Sequence, residues 1–252
     1  MRLCTFNVRR DVDADAPNDW SGRRDAVIET LREIAPDVIA LQEPLARQYD
    51  DIRESLSAYE WYGVGRRGGR DGEFCPIGWR PERFANVARE TRWLSERPDE
   101  PGSVGWDAAF PRIATRVVLE STPEPAFPAV SVWNTHFDHE GKIARISSAE
   151  LLRAWVSADE RAVLVGDFNS SPGDEPYAIL AESFADARQV AASTSGPVGT
   201  FHGFTREPDR RIDHAFLWGD LEVTTHETVT AAPGGQVISD HFPVIAELTR
   251  EG

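Results

Sequence analysis

The chain has 252 residues, 40% of them hydrophobic, and a formal net charge of −15. Its length and apolar content suffice for a core of its own, and residues 1–252 read as a single domain. No run approaches the roughly 18 apolar residues that cross a bilayer, and the acidic balance argues against non-specific nucleic-acid binding, because the global field repels polyanions.

Residues 2–8 read as a strand. Residues 25–34 have helical spacing (Ala26, Val27, Thr30, Leu31, Ile34) and stop before Pro36. A second strand spans 37–43 and a short helix 49–56. Strands at 60–65 and 74–79 flank an Arg/Gly-rich loop, 66–72. Further strands are expected at 88–94, 114–119 and 129–135. Residues 143–156 form a helix with Ile146, Ala149, Leu152 and Val156 on one face. A strand at 162–165, a helical turn at 176–182, strands at 211–217 and 222–229, and a closing strand at 242–248 complete the series. Short apolar runs alternating with amphipathic segments indicate an α/β fold. The loops 66–72, 98–111 and 193–211 have strands on both sides. They read as functional or variable loops rather than linkers.

Lys142 is the only lysine, so arginine supplies nearly all the positive charge. An acidic surface almost free of lysine suits a halophilic protein, whose self-repulsion concentrated salt would screen. High-GC codon usage explains the same bias. The N-terminus enters a strand without a signal-peptide pattern, so a cytoplasmic location is expected. Cys4 and Cys75 lie far apart beside apolar residues and read as buried free thiols.

Polar residues end several of the apolar strands. In Val163-Leu164-Val165-Gly166-Asp167-Phe168-Asn169, strand alternation places Asp167 and Asn169 on one face. Such a pair can orient a water, with Asp167 accepting its hydrogen bond or proton; both residue types also suit a plain turn. Glu43, after the apolar run 38–41, suits a hard cation such as Mg²⁺, or is a solvated loop glutamate. His241 follows Asp240, and its tautomer would need a second group, which Asp213 can supply; Asp240 can bind metal. A strand cap explains the Asp240-His241 pair equally. His136 lies near Asp138 and His139, a cluster able to bind metal or stabilise a leaving oxygen, or a loop of satisfied polar groups. The Asn7 amide can meet a metal-bound water or a phosphate oxygen. Arg112 reads as a phosphate clamp, since a guanidinium matches phosphate bidentately. Arg9, Asp138 and His202 are further candidates for contacts around the substrate, or make surface ion pairs and loop hydrogen bonds.

Six motifs occur in order: Thr5-Phe6-Asn7-Val8-Arg9, Leu41-Gln42-Glu43, Asn134-Thr135-His136-Phe137-Asp138, Gly166-Asp167-Phe168-Asn169, Arg211-Ile212-Asp213-His214 and Ser239-Asp240-His241-Phe242-Pro243-Val244. The series resembles the endonuclease/exonuclease/phosphatase superfamily, of DNase-I-like fold, from residue 2 to about 248. The segments 93–96, 102–109, 111–115 and 199–204 resemble an uncharacterised bacterial and archaeal branch, similar to the nocturnin and deadenylase side.

The resemblance implies a four-layer α/β/β/α sandwich, two mixed β-sheets face to face with helices outside. The site would lie where strand ends from both sheets converge. It implies Glu43 as principal ligand for Mg²⁺ (Mn²⁺ possible), with Asn7 beside it and Asp240 near enough to help. Asp167 and Asn169 would hold the attacking water and the phosphate. His241, oriented by Asp213, would contact the scissile phosphate, and His136 would stabilise a phosphate oxygen or assist the leaving group. The implied reaction is in-line phosphoester hydrolysis by water. A small-metabolite or lipid-headgroup phosphate is expected ahead of a nuclease substrate on grounds of charge. A non-catalytic binding protein is the remote alternative. Two departures, the short arginine-rich loop at 66–70 and His214 where many relatives have tyrosine, concern substrate contacts.

Overall fold

A computed structural model describes residues 1–122, 127 and 129–250. The elements run β1 (Arg2–Asn7), α1 (Trp20–Ile34), β2 (Val38–Gln42), α2 (Ala46–Ser55), β3 (Glu60–Tyr62), β4 (Ile77–Trp79), β5 (Phe84–Trp93), β6 (Ile113–Ser121) and β7 (Val130–His136). They continue with α3 (Lys142–Val156), β8 (Ala162–Asp167), α4 (Glu175–Ala181), β9 (Ala185–Asp186), α5 (Ala187–Val190), β10 (Ser193–Ser195), β11 (Asp213–Trp218), β12 (Leu221–Thr228) and β13 (Val244–Arg250).

Two mixed sheets result, ordered β10-β12-β13-β1-β2-β4-β3 and β5-β6-β7-β8-β11-β9. Their facing sides are built by alternation. Leu3, Val38, Ala40, Ile77 and Ala246 of the first sheet pack with Val117, Val132, Val163, Val165 and Ala215 of the second. The intervening residues point outward. Cys4, Phe6, Ile39 and Leu41 meet α1 and α2 through Val27, Leu31 and Ile52. Trp133, Leu164 and Phe216 meet α3 and α4 through Ala149, Leu152 and Leu180. The expected α/β/β/α order is therefore observed. Both cysteines are buried and free. Among the described residues no helix is long and apolar enough to cross a membrane.

The same alternation governs what happens at one end of the sandwich. Inward positions that hold aliphatic side chains mid-sheet hold polar ones at the strand ends. Gln42 donates to Thr5 Oγ1 (3.0 Å) and to Asn134 Oδ1 (2.6 Å). Asn134 in turn donates to the carbonyls of Leu41 and Pro76. These bonds tie the two sheets together where the apolar core gives out. Each contributes about 1 kcal/mol net, but an unpaired member would cost about 1–3 kcal/mol.

Several boundaries differ from the sequence expectation. Helix α1 starts at Trp20, not 25, because the Trp20 N–H donates to Asp11 Oδ1 and its indole to Asp51; the polar Ser-Gly-Arg-Arg run hides this turn from periodicity. Strand β5 begins at Phe84, with an irregularity between Asn86 and Ala88 that breaks its alternation. β9, α5 and β10 are too short to leave a periodic signal.

Candidate active site

Three strand ends of the second sheet lie on one rung: His136 of β7 pairs with Asp167 of β8, and Asp167 pairs with Asp213 of β11. Facing them, Asn7 of β1 pairs with Gln42 of β2, and Glu43 follows directly. The Asn7 amide bridges the sheets, donating to Glu43 Oε1 (3.1 Å) and to Asp167 Oδ2 (2.9 Å). The rung depends on Gly166. Its φ is +147°, and a Cβ there would fall 2.0 Å from the Thr135 carbonyl oxygen, so only glycine lets β8 approach β7 this closely.

Asp167 and Asn169 do converge, but not by strand alternation. The strand ends at Asp167, and Asn169 has φ 45°, a left-handed conformation asparagine tolerates. Its backbone N–H donates to Asp167 Oδ1 (2.9 Å), and its amide reaches the Phe137 carbonyl (3.0 Å) and His136 Nε2 (3.1 Å). An amide N–H facing Nε2 leaves the His136 proton on Nδ1, towards Glu73 Oε2 at 4.0 Å. Burial, reinforced by Arg112, lowers His136 well below its ordinary pKa, so the ring is neutral.

His241 is the opposite case. Its Nδ1 lies 2.8 Å from Asp213 Oδ2, and its Nε2 3.7 Å from Asp167 Oδ2. Burial works against its charge, yet Asp213 and then Asp167 hold its pKa up to about 10. Burial also pushes Asp167 up, against the pull of His241. Glu43 ends below its usual range: burial opposes this, but the Arg10 N–H (2.9 Å) and the Asn7 amide outweigh it. Asp240 is raised by burial, opposed by His241 and reinforced by Glu43.

These groups open into a cleft of about 450 Å³ that also includes Arg9, Arg10, Arg66, Glu73, Phe110, Arg112, Phe201 and Arg210. Five arginines and five carboxylates line it, so it is locally near neutral in a chain of charge −15. Glu43, Asp167 and His136 bring ligand atoms within 4.8 Å of one another, as do Asp167, Asp213 and His241. The first of these clusters joins Asp167 and His136 to Glu43, whereas the sequence paired Glu43 with Asp240. The Asp240 carboxylate meets Ser239 Oγ (3.2 Å) and Arg9 Nη1 (3.7 Å) instead.

The expected substrate contacts fare differently. Arg9 lines the cleft, held by Asp15 at 2.8 Å. Arg112 also lines it but is buried, engaged by Asp138 (3.3 Å) and within 3.8 Å of Glu73. Asp138 accepts the N–H groups of Glu140 and Gly141, capping the turn before α3. His202 is not in the cleft lining. Its neighbour Phe201 forms isolated bridges with Arg210 and His241 and lines the cleft; His202 lies on the other side, its ring 4.2 Å from Phe242. His214 also lies outside the cleft, packed among Phe168, Tyr177 and Phe216 with Nε2 donating to the Ser170 carbonyl (2.9 Å). Sequence reasoning missed Glu73. It accepts from Arg66 (2.7 Å) and lies near Arg10 (3.6 Å) and Arg112 (3.8 Å), in irregular chain between β3 and β4.

Residues 4–241 match the family model described as "Endonuclease/Exonuclease/phosphatase family". A solved structure of an endonuclease/exonuclease/phosphatase from Bacteroides vulgatus is 34% identical, with a TM-score of 0.94 over 99% of this chain and 98% of the other. A mannosyl-6-phosphatase from Bacteroides thetaiotaomicron is 29% identical, with a TM-score of 0.92 over 99% of each chain. The human nocturnin catalytic domain shares the fold at 17% identity, with a TM-score of 0.76 over 99% of this chain and 94% of that one.

Proposed function

The chain belongs to the endonuclease/exonuclease/phosphatase family, whose members hydrolyse phosphoesters, and we propose that it is a divalent-metal-dependent phosphoesterase acting on a small phosphate ester. The observation that carries the proposal is the Asn7 amide joining Glu43 to Asp167 across the sheets, with His136 and His241 on either side of Asp167.

The donor set fits a hard cation. Glu43 and Asp167 offer carboxylate oxygens within reach of one ion, and Mg²⁺ needs few protein oxygens because it keeps several waters. Glu43 would be the principal ligand, with Asn7 beside it and Asp240 acting through a bound water; Mn²⁺ suits the same set. When bound, the ion supplies positive charge opposite the oxygens on which negative charge develops. The chain does the rest. Asp167 accepts the hydrogen bond, then the proton, of the attacking water. Asn169 gives up its amide contact with His136 Nε2 to donate to a phosphoryl oxygen, its other N–H staying on the Phe137 carbonyl. His241, charged and oriented by Asp213, donates its Nε2 proton to a second phosphoryl oxygen. His136, on the far side of Asp167, faces the leaving oxygen.

Substrate class follows from the cleft. Phe110 and Phe201 lie in its lining, backed by Arg66 (4.6 Å) and Arg210 (4.6 Å), a setting suited to a sugar or similar compact group. A polynucleotide would have to approach a chain of charge −15. The similarity to a mannosyl-6-phosphatase supports the small-substrate reading. A nuclease is the second reading, favoured by the family's description, which includes endonucleases and exonucleases.

The test is a panel of mannose 6-phosphate, other sugar phosphates, bis-(p-nitrophenyl) phosphate and DNA and RNA oligonucleotides, with Mg²⁺, at low and high salt. The small-substrate reading predicts the highest kcat/KM on a small ester. A higher value on an oligonucleotide would replace it with the nuclease.

A further inference from the structure

Strands β1 and β13 pair from Arg2↔Glu247 to Thr5↔Val244, and there the ladder stops. Beyond that point the two chains carry Asn7 on one side and Asp240 and His241 on the other. Two buried side chains join them where backbone pairing has ended. Ser239, fully buried, donates its Oγ–H to the Asn7 carbonyl at 2.6 Å. Arg23, on α1 and 2% exposed, donates to four carbonyls: Val8 (2.8 Å) and Arg9 (3.1 Å) just after Asn7, Ile238 (2.7 Å) just before Ser239, and Asn18 (2.6 Å) at the entry to its own helix.

This is an unusual use of a buried guanidinium. Among the described residues no carboxylate lies within ion-pair distance of Arg23. A buried charge without a paired counter-ion costs several kcal/mol unless its donors are satisfied. Four carbonyl acceptors in a planar fork meet that demand, and lysine, a point donor on a flexible stem, cannot reproduce the fork. The return on that burial is geometric: the chain after Asn7 and the chain before Asp240 are fixed to one rigid group.

We propose that Arg23 and Ser239 are positioning residues, a clasp that sets the Asn7 end of β1 against the Asp240–His241 segment and so fixes the metal-binding geometry of the cleft. The inference rests on the metal-dependent reading above. It assigns the clasp no contact with substrate or ion. Its effect passes through Asn7 and Asp240.

The test uses Mn²⁺ binding to the substrate-free protein, followed by the electron paramagnetic resonance of the free ion, beside thermal midpoints. Ser239→Ala removes the bond to the Asn7 carbonyl together with the Oγ contacts to Asp240 Oδ1 (3.2 Å) and the His241 N–H (3.3 Å), and little volume. Tyr59→Phe is its control, removing a buried bond to the Pro36 carbonyl (2.6 Å) just beyond the C-terminal end of α1. Ser239→Ala should weaken Mn²⁺ binding roughly tenfold, as loss of support behind a ligand does, with a midpoint no lower than that of Tyr59→Phe. Arg23→Met should weaken it further and Arg23→Lys should recover part of the loss; if Arg23→Met fails to fold, Ser239→Ala decides. Mn²⁺ affinity within twofold of wild type for Ser239→Ala, or an equal loss in Tyr59→Phe, overturns the clasp. A wild-type protein that binds no Mn²⁺ overturns the metal-dependent reading itself, and the clasp with it.

Discussion

Asp213 Oδ2 lies 2.8 Å from His241 Nδ1, and Asp213 is itself the strand neighbour of Asp167, which lies 3.7 Å from His241 Nε2. One imidazole is thus held between two carboxylates from adjacent strands. Asp213 orients the ring and favours its charged form.

Asp213→Asn keeps the shape of that contact and removes its charge. The expected outcome is a fall in kcat of roughly 10²–10⁴-fold with little change in KM, because the ring loses the group that holds its charge and its orientation. Steady-state kinetics beside a near-unchanged circular dichroism spectrum would check it. A kcat within threefold of wild type would remove Asp213 from the orienting role.

Glu43→Gln should act on the metal. Gln keeps one oxygen and loses the charge, so the Mg²⁺ concentration for half-maximal activity should rise at least about tenfold. Activity measured across a Mg²⁺ titration reads this directly. An unchanged titration would take Glu43 off the ligand list.

Glu73 holds Arg66 and adjoins Arg112, two buried guanidiniums, and lies beside His136 Nδ1. Glu73→Ala should cost on the order of 3 kcal/mol, since it leaves the buried Arg66 guanidinium without its carboxylate while Arg112 keeps Asp138. Urea unfolding measures it, and a loss below about 0.5 kcal/mol would show that the arginines find other partners.

Acid should weaken the fold through buried neutral histidines. His226 is buried, and burial, with Arg188 and Arg211 adding, lowers its pKa to about 4. Above its unfolded value near 6.5 it is neutral in both states and has no effect. As pH falls from about 6.5 to about 4 only the unfolded chain takes up the proton, so stability is lost, by up to about 3 kcal/mol. His226→Gln should flatten the pH dependence of unfolding free energy in that window. An unchanged slope would mean that His226 titrates normally.

Much of this site was legible in the sequence because the fold writes it at strand ends. Asn7, His136 and Asp167 end strands in the inward register and Asp213 opens one, so a period-2 pattern flags them, whereas Glu43 follows the apolar run of β2 through a left-handed residue (φ 72°). Asn169 was singled out for the wrong reason. Its position depends on a left-handed turn that alternation does not describe. His202 shows the limit of local reading: Phe201 and His202 are neighbours in one loop, and only the bridges from Phe201 to Arg210 and His241 decide which of them faces the cleft. Glu73 and Arg23 left no signal. One lies in irregular chain, and the other's partners are backbone carbonyls up to 215 residues away.

Metal-dependent phosphoester hydrolysis at Asp167 is open to direct assay. Its most direct measurement is turnover of bis-(p-nitrophenyl) phosphate and mannose 6-phosphate by wild type and Asp167→Asn, in Mg²⁺ and in EDTA. Wild type should turn over at least one ester in Mg²⁺, EDTA should abolish this, and added Mg²⁺ should restore it. Asp167→Asn, folded to the same thermal midpoint within a few degrees, should retain about 1% or less of the activity. Hydrolysis that persists in EDTA, or in Asp167→Asn at near wild-type rate, would contradict it.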